Sequence, residues 1–360
     1  MTSANGAIPV EIDEHRIRQA RRVCLFAHYH QNGIVAVHVL HYLNALRDAG
    51  FVTVVLSTAS LDTEGCDALR NAGADVILRD NRGMDFGGWI EACQRFFPLQ
   101  ADLLLLANDS VYGPLSDLSA FVDRLLAHDA DFYGAVESQE IAPHLQSWFV
   151  MLRPAAYRSR AFTELMCTPM PDMVDKLALV TRYEIGLTQH LAAAGLRYHA
   201  AFSLRGRDGI ARRYPYNPAH LLWREMIDAG VPFVKIELLR LNRMRVTDTA
   251  AWPIVVGSHT PDLVAMIEAD LTVRRPLPRP GFGMMSAWPQ IYWPEVRATI
   301  VSDYHASPHG RGITGLLHLA VARSILALTR VPRRLHARWL SRQRPSQPSD
   351  LQPGLQSKER

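Results

Sequence analysis

From Val23 onward, short apolar runs of β type alternate with amphipathic helical runs. That order commits a chain to βαβ units and a largely parallel sheet flanked by helices. The spacing predicts strands over residues 23–27, 52–57, 75–79, 101–107, 131–136, 148–152 and 197–201. The run 101–107 is apolar after Asp102, as expected of a central strand buried on both faces. Between strands, Ala36, Val39, Leu40, Leu43 and Leu46 recur at helical spacing, and Asp85 is placed to cap a helix carrying Trp89, Ile90, Cys93 and Phe97 on one face. Further helices are predicted over 62–71, 117–128 and 184–194.

With 360 residues, 48% of them hydrophobic, the chain can bury a large core. Its net charge is only +4, with acids interspersed among the bases, so nucleic acid is not expected as a partner. Cys24, Cys66, Cys93 and Cys167 lie far apart without a CxxC pair and read as reduced thiols. The polar, acidic N-terminus does not resemble a secretory signal. No apolar run of about 18 residues suggests a membrane span. A cytoplasmic protein is therefore expected. P-loop, G-x-S-x-G, H-E-x-x-H and complete G-x-G-x-x-G motifs are all missing from the sequence, so it offers no basis for kinase-like, hydrolase, zinc-protease or standard dinucleotide readings.

Five segments are expected. They are an N-terminal extension (1–20), the α/β domain (21–250), a Pro-rich wrapping extension (251–310), a basic amphipathic segment (311–340) and a disordered tail (341–360). In the fourth, Ile313, Leu317, Val321, Ile325 and Leu328 share a helical face, and Arg323, Arg330, Arg333, Arg334 and Arg338 supply positive charge. Residues 313–338 thus suit peripheral contact with the anionic inner face of the cell membrane, or a core-packing helix with solvated arginines.

In an open parallel sheet, ligands gather at the carboxyl ends of the strands. That rule selects His28 and Tyr29, Ser57, the loop Asn81-Arg82-Gly83 with Asp85, and Asn108-Asp109-Ser110. Asp109 is the candidate for a divalent cation, Mg or Mn, and a diphosphate, because hard cations take oxygen ligands and keep waters; an Asx turn closing the strand explains the same residues. Arg82 suits a phosphate, and Gly83 suits a backbone that must adopt positive φ. His28 and Tyr29 suit stacking on a base or plain packing. Glu184, at the expected start of the 184–194 helix, is either a dipole-stabilised structural acid or a general base. Gln146, Ser147 and Trp148 introduce an apolar run that could line an acceptor site or cover the sheet.

Four stretches carry a resemblance: Leu78-Arg-Asp-Asn-Arg-Gly-Met-Asp-Phe-Gly-Gly-Trp89, Ala107-Asn-Asp-Ser-Val-Tyr-Gly-Pro-Leu115, Leu145-Gln-Ser-Trp-Phe-Val150 and Arg182-Tyr-Glu-Ile-Gly-Leu-Thr-Gln189. From about residue 23 to about residue 242 the chain resembles the rhamnan synthesis protein F family of bacterial polysaccharide glycosyltransferases. The resemblance implies a GT-A-like fold and inverting transfer of a sugar, rhamnose in the named members, from a nucleotide-sugar donor to a growing lipid-linked glycan. It also implies donor contacts at Asn81 to Gly83, a metal position at Asp109 and a base at Glu184. Where the usual pattern is Asp-x-Asp, this chain has Asn108-Asp109-Ser110. The missing second acid keeps open a rival reading, a non-catalytic nucleotide- or glycan-binding component of a polysaccharide-assembly complex.

Overall fold

The structure, a computed structural model, describes residues 12–139, 142–171, 176–204, 217–242 and 246–274. The basic segment 311–340, the tail and most of the Pro-rich extension lie outside the described residues.

The predicted strands form one mixed sheet around a parallel centre. Strands β1 (Arg22–His28), β2 (Val52–Ser57), β3 (Ala74–Leu78) and β4 (Leu103–Asn108) run parallel in the order β3-β2-β1-β4. Beyond β4 the sheet turns antiparallel through β8 (Phe149–Leu152) to β6 (Phe132–Ser138). β6 also carries the parallel strand β9 (Tyr198–Phe202) and the short β7 (His144–Leu145). A separate antiparallel pair joins β5 (Val111–Tyr112) to β10 (Val234–Lys235).

Alternation along β1 explains the two-layered core. Helices α1 (Glu14–Gln19) and α3 (Thr63–Asn71) precede β1 and β3; Cys24 and Phe26 pack on one face against α2 (Val37–Asp48), while Val23, Leu25 and Ala27 pack on the other against α4 (Met84–Phe96). All six residues of β4 are buried, as its unbroken apolar run requires. The chain turns one way from β1 to β2 and the other way from β3 to β4. The switch in strand order therefore falls between β1 and β4, where a crevice opens at their carboxyl ends.

Three local expectations change. The helix at 84–96 is entered through Gly83 in the left-handed region (φ 75°), so Asp85 sits inside its first turn and not at the cap. The helix containing Glu184 begins earlier, at Lys176. Glu184 lies mid-helix within a π-helical stretch, Val180–Ile185, a widening often found at functional sites. Pro253 and Pro261 begin helices Trp252–Gly257 and Pro261–Val273, because proline fits the first turn, where no backbone donor is needed. The latter helix packs through Leu263 and Ile267 into a third core cluster with Tyr112, Trp223 and Val234.

Candidate functional site

Asp109 follows β4 at the switch point, and its neighbour across the crevice is the end of β1. The Tyr29 N–H donates to Asp109 Oδ2 at 3.0 Å, and His28 Nε2 stands 3.9 Å from the same oxygen. Burial pushes the Asp109 carboxyl up to about 6, against the pull of the Tyr29 N–H and of Arg274. Burial likewise pushes the His28 imidazole down to about 4, aided by His30 and Arg274, so His28 is neutral at pH 7. Its Nδ1 pairs with Ser57 Oγ at 2.9 Å, and that hydroxyl also accepts from the Ala59 N–H. His28 and Ser57 are thus buried scaffolding behind Asp109, while Tyr29, 47% exposed, is the aromatic open to a ligand.

Asp85 reaches the same spot from α4. Asn108 Nδ2 donates to Asp85 Oδ2 at 2.7 Å, and Asn108 Oδ1 accepts from both Ser110 N and Ser110 Oγ at 3.1 and 2.6 Å. Burial and then the Asp109 charge push the Asp85 carboxyl up to about 6; Asn108 and Lys235 oppose this, and Glu184 adds to it. Asp85 is therefore a second carboxylate in space, supplied by α4.

Glu184 approaches from the π-helical stretch. Its Oε1 accepts from the Ser147 N–H at 3.1 Å, tying it to the turn before β8. In that turn Gln146 and Trp148 are buried, with Trp148 Nε1 donating to Gln146 Oε1 at 2.6 Å. The Trp148 indole is 1% exposed, packing on Phe233 with Lys235 Nζ 5.6 Å from its ring centroid. Trp148 therefore covers the sheet and carries Lys235, and Ser147 stands beside Glu184.

The loop ahead of α4 is wired by Arg79. This side chain grips the exposed Glu91 at 2.7 Å and donates to the Arg82 carbonyl at 2.7 Å. Asn81 and Arg82 lie exposed on the turn. Gly87 is required there, since a Cβ would come within 1.9 Å of the Arg82 carbonyl oxygen, and Gly83 supplies the left-handed backbone, φ 75°, that opens the helix.

Beside the acids, Tyr29, His30, Asn32, Thr58, Ser60 and Val273 line an open cleft of about 550 Å³. Val273 belongs to the distant helix Pro261–Val273, whose last carbonyl accepts from Asn32 Nδ2 at 2.8 Å. The same helix carries Asp270, which accepts from Tyr112 Oη at 2.6 Å and Arg274 Nε at 2.5 Å, with His30 Nε2 at 3.5 Å. Asp270 is held well below the usual carboxylate range, because these partners outweigh its burial. Lys235, Asp270, Arg274 and Arg79 are the residues missed in the sequence. Their partners lie up to 240 positions away, as His30 does from Asp270, and the only available signal was a charged residue inside an apolar run, as in Val234-Lys235-Ile236.

A parallel-centred sheet flanked by helices, with carboxylates gathered at its switch point, defines an α/β protein of the mostly parallel, mixed-sheet class. Within it, the chain belongs to the rhamnan synthesis protein F family, whose model matches residues 53–256, and it is a glycosyltransferase. It is 24% identical over 265 residues to the virulence protein VirA of Vibrio anguillarum, covering 63% of this chain and 82% of that one. Among solved structures it is similar to the mannosyltransferase PcManGT from Pyrobaculum calidifontis in complex with GDP-Man and Mn2+, at 12% identity and TM-score 0.35 over 90% of this chain and 84% of that one. It is also similar to the glycosyltransferase GlyE of Streptococcus pneumoniae, at 12% identity and TM-score 0.35 over 71% and 64% of the two chains. A third is residues 1–349 of TarS from S. aureus, at 13% identity and TM-score 0.32 over 89% and 91%.

No helix among the described residues is long and apolar enough to cross a membrane.

Proposed function

We propose that the chain is an inverting glycosyltransferase that moves rhamnose or a related deoxysugar from a nucleotide-sugar donor to a growing cell-surface polysaccharide or lipid-linked glycan. One observation carries this reading: the Asp109 and Glu184 carboxylates both act on Asp85 at the switch point, and Tyr29, which lines the open cleft, donates its N–H to Asp109. The nucleoside enters the cleft, with Tyr29 against its base, and the diphosphate lies toward Asp109. The Asn81-Arg82-Gly83 turn, with Asn81 and Arg82 exposed, borders the donor.

Asp109 and Asp85 would hold a Mg or Mn ion. Two hard carboxylate oxygens whose burial disfavours their bare charge fit such a cation. No group of three or more His, Cys, Asp or Glu among the described residues is arranged as a metal site, so diphosphate and water oxygens would complete the coordination. The cation would neutralise charge on the diphosphate.

Glu184 is the general base. Its hydrogen bond from the Ser147 N–H holds one carboxylate oxygen and leaves the other to take the acceptor hydroxyl proton. The acceptor oxygen bonds to the anomeric carbon as the bond from that carbon to the diphosphate oxygen breaks, and the electron pair leaves with the diphosphate. Ser147, next to Glu184, lines the acceptor side. Residues 313–338 would bring the enzyme to a lipid-linked acceptor at the membrane surface.

The rival reading as a non-catalytic component rested on the missing second acid of the motif, and Asp85 supplies that acid. Incubating the full chain with a panel of nucleotide sugars, with and without Mg²⁺ or Mn²⁺, tests the proposal. Hydrolysis or transfer of one donor is expected; saturable binding without turnover of any would return the protein to the binding-component class.

A further inference from the structure

A diphosphate beside two carboxylates needs positive charge, and the fold delivers one from a strand far away in the sequence. β10 pairs with β5 so that Lys235 stands opposite Val111, and the Ile236 N–H donates to the Ser110 carbonyl at 3.1 Å. The pairing locks β10 against the residue next to Asp109. It sets Lys235 Nζ 3.1 Å from Ser110 Oγ and 5.6 Å from the Trp148 ring centroid.

Both supports are themselves fixed. The Ser110 hydroxyl donates its proton to Asn108 Oδ1 at 2.6 Å, so its oxygen is turned to accept from the ammonium. The Trp148 ring is pinned through Gln146 Oε1, and Gln146 Nε2 donates in turn to Asn217 Oδ1 at 2.5 Å. An ammonium over an indole face gains a cation–π attraction without losing its charge. A lysine stem normally surrenders rotamer freedom on binding; here that cost is met in folding. The Lys235 side chain is half-buried, and beyond its bond to Ser110 it is close enough to Asp85 to favour the charged carboxylate.

We propose that Lys235 is a diphosphate-binding residue of the donor site, a fixed cation that meets the leaving diphosphate and takes up the charge developing on it as the sugar departs. The assignment rests on the reading of Asp109 as the diphosphate end of the site.

The test compares the full-length wild type with Lys235→Met, Lys235→Gln and Lys235→Arg, each first checked for a wild-type-like thermal transition. UDP, GDP and dTDP are titrated calorimetrically, and the tightest is paired with its parent nucleoside. Loss of a charged contact should weaken the diphosphate by about tenfold or more in the Met and Gln variants, leave the nucleoside within about twofold, and recover in large part with Arg. kcat/KM for the matching nucleotide sugar should fall in parallel. Unchanged diphosphate affinity in a folded Met or Gln variant overturns the assignment, and so does an equal loss of nucleoside and diphosphate. A wild type that binds none of the diphosphates and turns over no donor overturns the transferase reading itself; wild-type turnover beside unaffected variants overturns Lys235 alone.

Discussion

Asn108 donates its side-chain amide to Asp85 across 2.7 Å, joining the end of the fully buried strand β4 to the first turn of α4. The bond stabilises an ionised Asp85 whose carboxyl burial and Asp109 otherwise push up. It also makes Asn108, the residue before Asp109, the partner that ties the two carboxylates together.

Activity should therefore fall as pH drops through about 6, where Asp85 and Asp109 both take up protons. In Asn108→Ala the acidic limb of kcat/KM should move to higher pH, because Asp85 loses the donor that favours its charge. A pH–rate profile of the two proteins checks this, and an unmoved limb would separate Asp85 from the reaction.

The same two carboxylates cost stability when no cation is bound. Their folded-state values lie above the unfolded value of about 3.9. The unfolded chain thus gives up these protons first, and stability declines as pH rises from about 4 to about 6. Asp85→Asn should raise the melting temperature of the metal-free protein at pH 7, by the equivalent of about 1–3 kcal/mol, while lowering activity. Thermal unfolding with EDTA measures it.

Glu184→Gln keeps the shape and the acceptor oxygen for the Ser147 N–H but removes the proton acceptor. Transfer should fall by about two to four orders of magnitude with donor affinity little changed. Single-turnover transfer alongside a donor titration distinguishes this from a binding defect.

Asp270 is the buried partner of Arg274, the two side chains 1% and 9% exposed. Asp270→Ala strands the guanidinium and should cost about 3–5 kcal/mol in urea unfolding at pH 7. Since the Asp270 carboxyl is held low, its contribution is complete at neutral pH and fades only in strong acid, as pH falls below about 4. His28 and His38 are pushed by burial down to about 4 and about 3, so they act in a different window. Their protonation in the unfolded chain erodes stability as pH falls below about 6.5.

Much of the scaffold was legible because each strand announces itself by an apolar run and each helix by its period. β2 coincides with the predicted run, and β1 and β4 shift by one or two residues at their ends. Asp109, Asp85 and Glu184 were legible because they follow strands or lie in the family's motifs. Lys235 was not, since its place beside Ser110 depends on a two-residue strand pair formed across 125 positions. Trp148 stayed open between two readings for a general reason: an indole before an apolar run looks the same in sequence whether it faces a ligand or the core. The helix Pro261–Val273 was hidden by its proline, which reads as a breaker unless its first-turn position is known.

The central strand β1, residues 22–28, bonds to β2 on one side and β4 on the other, yet it precedes the stretch 53–256 matched by the family model; the cleft wall at Val273 follows that stretch. A fragment cut to the matched residues would contain every proposed reacting acid and still lose the middle of its sheet and most of the cleft, keeping only Thr58 and Ser60 of the residues that line it. Any shortened enzyme must keep residues on both flanks, and transplanting the matched stretch into another scaffold requires a host that supplies an equivalent middle strand.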